Sequence, residues 1–470
     1  MSWRKVRLYL IYNEIKLELC ASPLIVLSCS MMDCSIYVKE ADFMQNAKDF
    51  GAIGDGIAND TAALQRAIDA GGMVYIPAGT YVTGTLYLHS HGGLELDDHA
   101  ILRASTSPDD YCPKNFCQQM TDNMTCGAHG GHLIVALEQE DVTIRGGGKI
   151  DGAGRFIMRN HAISHQFKGG PQWFCKEWRP QQCIFICECD GVHLEDFTIE
   201  DTTGWACFLY GCQNVQVHKM KIFNSPFISE DDGLDIDCCS DVTVSDCVFY
   251  AGDDAFTLRA CKKQLKQPRP CERVSISHCT FSSFYAHAIR VGVGGGEIRD
   301  CHFDHIRVMA GHAAIHINSK YSDRSEGVEI HDVSFHDMEV DADQLAFIRL
   351  DYKFVQGAPS CKSIYNIDIK DISGHARYPS MLYGNGVGDI HDITFERIRL
   401  GITEACDIPE NTRKFIMVDG TEAPFELTRV HDIHFTDVEL QYEHPEAWPK
   451  DIALHDCQNI TCKNVIRSSL

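Results

Sequence analysis

The sequence contains no apolar run near the roughly 18 residues that a membrane-spanning helix requires, and no membrane association is expected. Positive charge is scarce. Lys and Arg number 42 against 66 Asp and Glu, a formal net charge of -24. That disfavours nucleic acid or an anionic membrane surface as a partner. An export signal is not evident. Arg4, Lys5 and Arg7 precede the stretch LYLIYNEIKLEL, but Glu14, Lys16 and Glu18 interrupt what would be its apolar core. A cytoplasmic location is the expectation. No linker or low-complexity segment splits the body of the chain. The spacing Cys183-x-x-x-Cys187-x-Cys189 is not a zinc pattern, and Phe185 and Ile186 within it read as strand. No metal and no cofactor is expected.

Cysteine, by contrast, is abundant, with 23 residues, many at strand-like positions such as Cys187, Cys189, Cys247, Cys279 and Cys301. Without an export signal these read as reduced, buried thiols acting as small hydrophobes, not as a disulfide framework. The oligomeric state is left open.

Residues 1–45 read as a small β appendage. Val6, Leu8 and Leu10, then Ile15, Leu17 and Leu19, alternate as two strands about Asn13-Glu14. Residues 46–470 read as one elongated domain. It opens with a glycine-rich turn at Gly51, Gly54 and Gly56. A helix follows, capped by Asn59 or Asp60, with Ala63, Leu64, Ala67 and Ile68 on one face, and Gly71-Gly72 stops it. A helix there would cover the unpaired edge of a β-solenoid.

From Val142 onward one unit recurs: apolar-x-apolar-x-x-apolar-x-apolar. It begins at Val192, Val215, Val242 and Val274, with weaker copies near Gly296, Val333, Ile367, Ile393, Val430 and Ile460. The x-x break predicts a bend between two short strands, and no single unit buries its own apolar face. Stacked, they make an all-β, right-handed parallel β-helix of about ten coils. A β-propeller is the other candidate, but regular four-strand blades fit the uneven intervals less well. Two long loops, Pro108–His132 (with Cys112, Cys117 and Cys126) and Asn160–Pro180 (with Trp173, Trp178 and Arg179), would wall a groove. The tryptophans there either stack on sugar rings or pack the loop down.

The densest chemistry lies in EDDGLDIDCCSDVTVSDCVFYAGDDAFTLRA, Glu230 to Ala260. Asp231-Asp232-Gly233 and Gly252-Asp253-Asp254 bracket one strand-turn-strand unit. In a solenoid these clusters stack on neighbouring rungs about 4.8 Å apart, close enough for acid/base cleavage of a glycosidic bond.

The cap DFGAIGDGIANDTAALQRAID with GGMVYIPAGTY resembles that of pectin-lyase-like β-helix proteins. Asp231-Asp232-Gly233, Gly252-Asp253-Asp254 and Ala286-His287-Ala288-Ile-Arg-Val-Gly292 resemble, in order and spacing, the motifs of glycoside hydrolase family 28, the polygalacturonases. The resemblance spans roughly residues 45–465. It implies Asp253 as general acid, Asp232 and Asp254 as the carboxylates that hold and deprotonate the water, inversion, and His287 beside the acid. Three packed carboxylates disfavour full ionisation, so Asp253 is expected to keep a proton. Three departures stand out. Glu230-Asp231 replaces the family's Asn-Thr. Alanines flank His287 where the family has glycines. His316-Ile317-Asn318 stands where the family's Arg-Ile-Lys grips the galacturonate carboxylate. His316 and Asn318 are therefore expected at the substrate, with Arg259 and Arg290 compensating for the lost cations. The alternative for those arginines is an ion pair with Asp235 or Asp237. Lys262, Lys263, Lys266 and Arg269 form the dense basic loop of an acidic chain, either drawing in an anionic sugar or simply solvated.

The expected function is hydrolysis of a pectic or other acidic poly- or oligosaccharide containing uronic acid. Plain polygalacturonate is expected to be a poor substrate. A polysaccharide lyase or uronate epimerase on the same fold, with Arg259 or Arg290 as base, is one alternative. A non-catalytic carbohydrate-binding solenoid is the other.

Overall fold

The computed structural model describes residues 3–6, 25–30, 33–39, 44–113, 115–120, 131–158, 162–164, 172–174, 178–321, 326–351, 361–386, 388–404 and 421–470. Near the N-terminus, Trp3–Val6 and Ile25–Ser30 pair antiparallel on either side of Asp33–Lys39. The two strands expected about Asn13-Glu14 lie mostly outside the described residues.

The cap forms as its pattern demands. The helix Thr61–Asp69 buries Ala63, Leu64, Ala67 and Ile68. Asp60 stands at its N-cap position without a side-chain cap bond. Its carboxylate instead takes the N–H groups of Ile53 at 2.6 Å and Gly54 at 2.9 Å, which ties the glycine-rich turn to the helix start. Asn59 supplies the local bond, accepting the Thr61 N–H at 3.0 Å.

Beyond the cap the chain is a right-handed parallel β-helix. One face is a 12-stranded sheet with a single strand per coil, running from Leu86–Tyr87 to Ile452–His455. The rungs beyond the ten or so legible as repeats lie at the N-terminal end, where long loops separate short strands. The remaining faces form a 22-stranded sheet. The repeats stack in register, Val192 on Val215, Val215 on Val242 and Val242 on Val274. The second x of each break, Asp196, Lys219, Asp246 and His278, has φ of 58°, 53°, 56° and 54°, so the bend is one left-handed residue. Inside, Phe249 stacks on Phe281, Phe303 on Phe335 and Phe395 on Phe435. Such ladders follow from identical residues repeating one rung apart.

The cysteines have a local reason to be there. Cys189, Cys212, Cys239, Cys247, Cys279 and Cys301 each follow a left-handed residue at a corner. Each places Sγ 3.1–3.7 Å from the carbonyl oxygen two residues back. The thiol is small enough for the corner and offers a weak donor to a carbonyl the ladder leaves there. All six are buried. Thiol titration of protein denatured without reductant should find nearly all 23 cysteines free; several stable bridges would contradict the thiol role.

Candidate active site

Three successive turns deliver the chain into the single-strand sheet. Asp231-Asp232-Gly233 leads into Leu234–Asp237, Gly252-Asp253-Asp254 into Phe256–Ala260, and Ala286-His287-Ala288 into Ile289–Gly294. The turns are bonded rung to rung: Gly233 N–H to Asp254 O at 2.9 Å, and Ala255 N–H to His287 O at 3.0 Å. One carboxylate oxygen from each of Asp232, Asp253 and Asp254 therefore falls within 4.8 Å of the other two.

Their environments differ. Asp254 is buried and accepts from Arg290 Nη1 at 2.5 Å and from the His287 N–H at 2.9 Å. Asp253 is partly open, and its Oδ1 accepts the Asp254 N–H at 3.0 Å. Desolvation, then repulsion from Asp254, pushes its carboxyl well above the usual range, against the pull of Arg290. Asp232 is also pushed well up, first by burial and then by Asp235 and Asp253. The three oxygens are close enough to share a cation, but that would need all three ionised. Arg290 on Asp254 and the raised carboxyls beside it suit proton transfer better.

His287 stacks on His316 with ring centroids 3.9 Å apart. Burial holds both imidazoles well below their usual range, helped by His316 and Arg290 at His287 and by Arg290 and Arg349 at His316. Both are therefore neutral at pH 7. Arg290 also points Nε at His316 Nδ1, 3.4 Å away, and lies against the ring of Tyr321, 5.0 Å from its centroid.

Arg259 behaves differently from Arg290. It is buried, with Nε 3.3 Å from Asp237 and Nη1 3.4 Å from Asp235, and its guanidinium lies 4.5 Å from the centre of the Trp205 ring. The expected place on the open groove face gives way to an ion-pair network, because register sets Asp237 directly beside Arg259. Asn318 is 1 % exposed, and neither end of its amide has a partner among the described residues. On the next rung its in-register neighbour is Arg349, which sequence reasoning missed. The signal was present: Phe347-Ile-Arg349 repeats the phase of His316-Ile-Asn318 one coil later. Tyr321 carried no such signal.

The loops also resolve. Trp178 packs on Tyr111 (5.0 Å) and Trp173 stacks on Phe227 (4.9 Å), so both rings hold loops down. In the basic loop, Lys263 pairs with Glu326 at 2.6 Å and Lys266 with Glu138. Cys126 lies outside the described residues.

Comparison with known proteins agrees with this geometry. Residues 110–377 match the profile of the glycosyl hydrolases family 28. Residues 44–90, the cap, match that of the rhamnogalacturonase A/epimerase, pectate lyase-like group. A probable polygalacturonase of Vitis vinifera is 25% identical over 284 residues, covering 58% of this chain and 56% of that protein. The chain thus spans about half the length of the curated relatives it matches. The family 28 exopolygalacturonase of Yersinia enterocolitica superposes with a TM-score of 0.68 at 19% identity, over 91% of this chain and 80% of its own. A hyperthermoactive exopolygalacturonase from Thermotoga maritima gives 0.55 at 17%, over 91% and 92%. With its motif-bearing rungs inside a match that covers more than half its length, the chain belongs to glycosyl hydrolases family 28.

Proposed function

We propose that the protein is an inverting glycoside hydrolase acting on a galacturonan-type poly- or oligosaccharide. The observation that carries this reading is the carboxylate trio, with one oxygen of each within 4.8 Å of the others and Asp253 its partly open member; burial and the neighbouring Asp254 push the Asp253 carboxyl up, as suits a proton donor. Asp253 gives its proton to the leaving oxygen. Asp254, oriented by Arg290 and the His287 N–H, takes the proton of the water, and Asp232 helps hold that water in place. His287, neutral and partly exposed, has Nδ1 buried and is placed to bond a substrate hydroxyl through Nε2. His316, Asn318 and Arg349 are buried and would back the adjoining sugar's site through His287, on which His316 stacks. The relatives named as polygalacturonases support a uronic-acid substrate.

One observation favours a second reading. Carboxyl oxygens within 4.8 Å of one another are closer than the roughly 6.5–9.5 Å usual for inversion and nearer the ~5 Å of retaining enzymes. Inversion then requires the water to sit beside the trio, held by Asp232 and Asp254, and not between acid and base. Proton NMR of the first product formed separates the two: an inverted anomer is expected, and a retained one would make a carboxylate the nucleophile. A lyase is disfavoured because Arg259 and Arg290, its candidate bases, are both engaged by carboxylates that hold them protonated. A lyase would leave an unsaturated, ultraviolet-absorbing product.

Cleavage is expected from a chain end. On the N-terminal side of Asp235 the outward row of the sheet continues through Phe208, Phe185 and Val135, all buried. His132 stacks on Phe185 at 4.7 Å and Phe116 closes over both. A polymer cannot run along that row. Chromatography of early products should show one short sugar and not a ladder of oligomers.

A further inference from the structure

Exposed large apolar side chains are not scattered along this solenoid. Between Phe156 and Leu454 the described ones are Phe223, Phe227, Tyr250, Phe284 and Met309, each 39–59 % exposed. All five stand just ahead of successive turns into the single-strand sheet, three of them the catalytic turns. Phe223 is in register with Tyr250, and Tyr250 with Ser282. Phe284 follows two residues later, its N–H on Ala251 O at 3.1 Å. Met309 occupies the bulge opposite Phe281 and Ser282. One apolar strip thus crosses three rung steps, about 14 Å. Single exposed apolar residues are ordinary on a protein surface, but a contiguous strip marks a binding face.

The rings are ordered in advance. Phe223 and Tyr250 meet edge to face with centroids 5.5 Å apart, and Phe284 leans on the buried Tyr285 at 4.7 Å. Little side-chain freedom is left to lose on docking. The strand segments beneath the strip, 221–223, 248–251, 280–283 and 307–310, contain Lys221 and Arg307, both exposed, and no Asp or Glu. The acids on the bordering rungs are matched, Glu200 by Lys149 at 3.1 Å and Glu339 by Arg307 at 3.3 Å. In a chain of net charge -24, such a window suits an anionic ligand with apolar faces.

The catalytic centre opens toward this strip. Along the sheet Asp235, Thr257 and His316 are buried, Arg290 alone being partly open. In the turns Asp253, Ala286 and His287 are partly open, and Phe284 beside them is exposed. A chain whose end lies at Asp253 therefore leaves across the turns. We propose that the strip from Phe223 to Met309 carries the part of the substrate chain beyond the scissile bond, a run of uronate units. Their C–H faces lie on Tyr250 and Phe284, and their carboxylates meet Lys221. The inference rests on the trio being a hydrolytic centre for a galacturonan-type chain.

The test is the Tyr250→Ala/Phe284→Ala double variant, measured on the pectic polymer cleaved fastest and on the dimer cut from it. The dimer spans the trio without reaching the strip. The ratio of KM on polymer to KM on dimer should rise on the order of tenfold. An unmoved ratio, whether both constants change together or neither does, would overturn the proposal. Should the double variant not fold, Lys221→Gln removes no buried packing and should raise the same ratio by a smaller factor, most at low salt. A readout free of turnover is electrophoresis of Asp253→Asn through a gel containing polygalacturonate. That protein should be retarded, and adding the two alanines should release it; equal retardation would sink the strip. If a second copy of the chain covers the strip instead, wild type sediments as a dimer, the double variant as a monomer, and the ratio stays in place, which also overturns the proposal. Absence of turnover on every pectic substrate would reject the hydrolase reading, while release from the gel would still assign the strip to the anionic chain. Turnover with an unmoved ratio would reject only the strip.

Discussion

Asp253→Asn should lower kcat by about 10²–10⁴-fold, the usual cost of removing a general acid. The substitution is nearly isosteric. The Asp254 N–H, which now bonds Asp253 Oδ1 at 3.0 Å, can still find the amide oxygen. Melting temperature should therefore hold or rise, since the variant removes one of several mutually repelling carboxyls. The loss should shrink on substrates with aryloxide leaving groups, which depart with little protonation. Asp232→Asn should show no such rescue, because the role proposed for it is at the water. A near-normal rate for Asp253→Asn would move the acid elsewhere in the trio.

How much of this was legible beforehand varies with the physics. The solenoid was legible because each coil needs its neighbours to bury its apolar positions, so the repeat had to be written into the chain. The corner at Asp196 or His278 appears as two adjacent non-apolar residues, and the structure adds that the second is left-handed. The carboxylates were legible because the motifs place them at rung starts, where stacking alone brings them together. The arginines were harder. Arg259 and Arg290 look alike in TLRA and AIRVGV, since both sit outward on strands. Their partners are set by neighbouring rungs: Asp237 is in register with Arg259, whereas Arg290 reaches back to the turn at Asp254. Arg349 went unseen because it lies a whole coil, and a long loop, beyond the motif it extends.

Arg259→Ala should destabilise the fold strongly, by about 3–5 kcal/mol, the range for removing one partner of a buried ion pair. The guanidinium lies between Asp235 and Asp237, both fully buried. Even with Arg259 present, desolvation lifts Asp235 to about 7. Without it, Asp235 and Asp237 would be buried beside each other with no counter-charge, and each would have to take up a proton to stay inside. The sign of the pH effect follows. Those carboxyls bind protons more tightly in the folded variant than in its unfolded chain. The variant should therefore lose more stability as pH rises from the unfolded carboxylate range, near 4, through neutrality, and lose least in acid. Lysine at this position would restore charge but not the two-sided fork or the contact with the Trp205 ring, so Arg259→Lys should recover only part of the loss. Denaturant or thermal melting at pH 5 and pH 8 measures both effects. If Arg259→Ala melts like wild type and instead raises KM on uronate substrates, the guanidinium is gripping substrate and the ion-pair assignment fails.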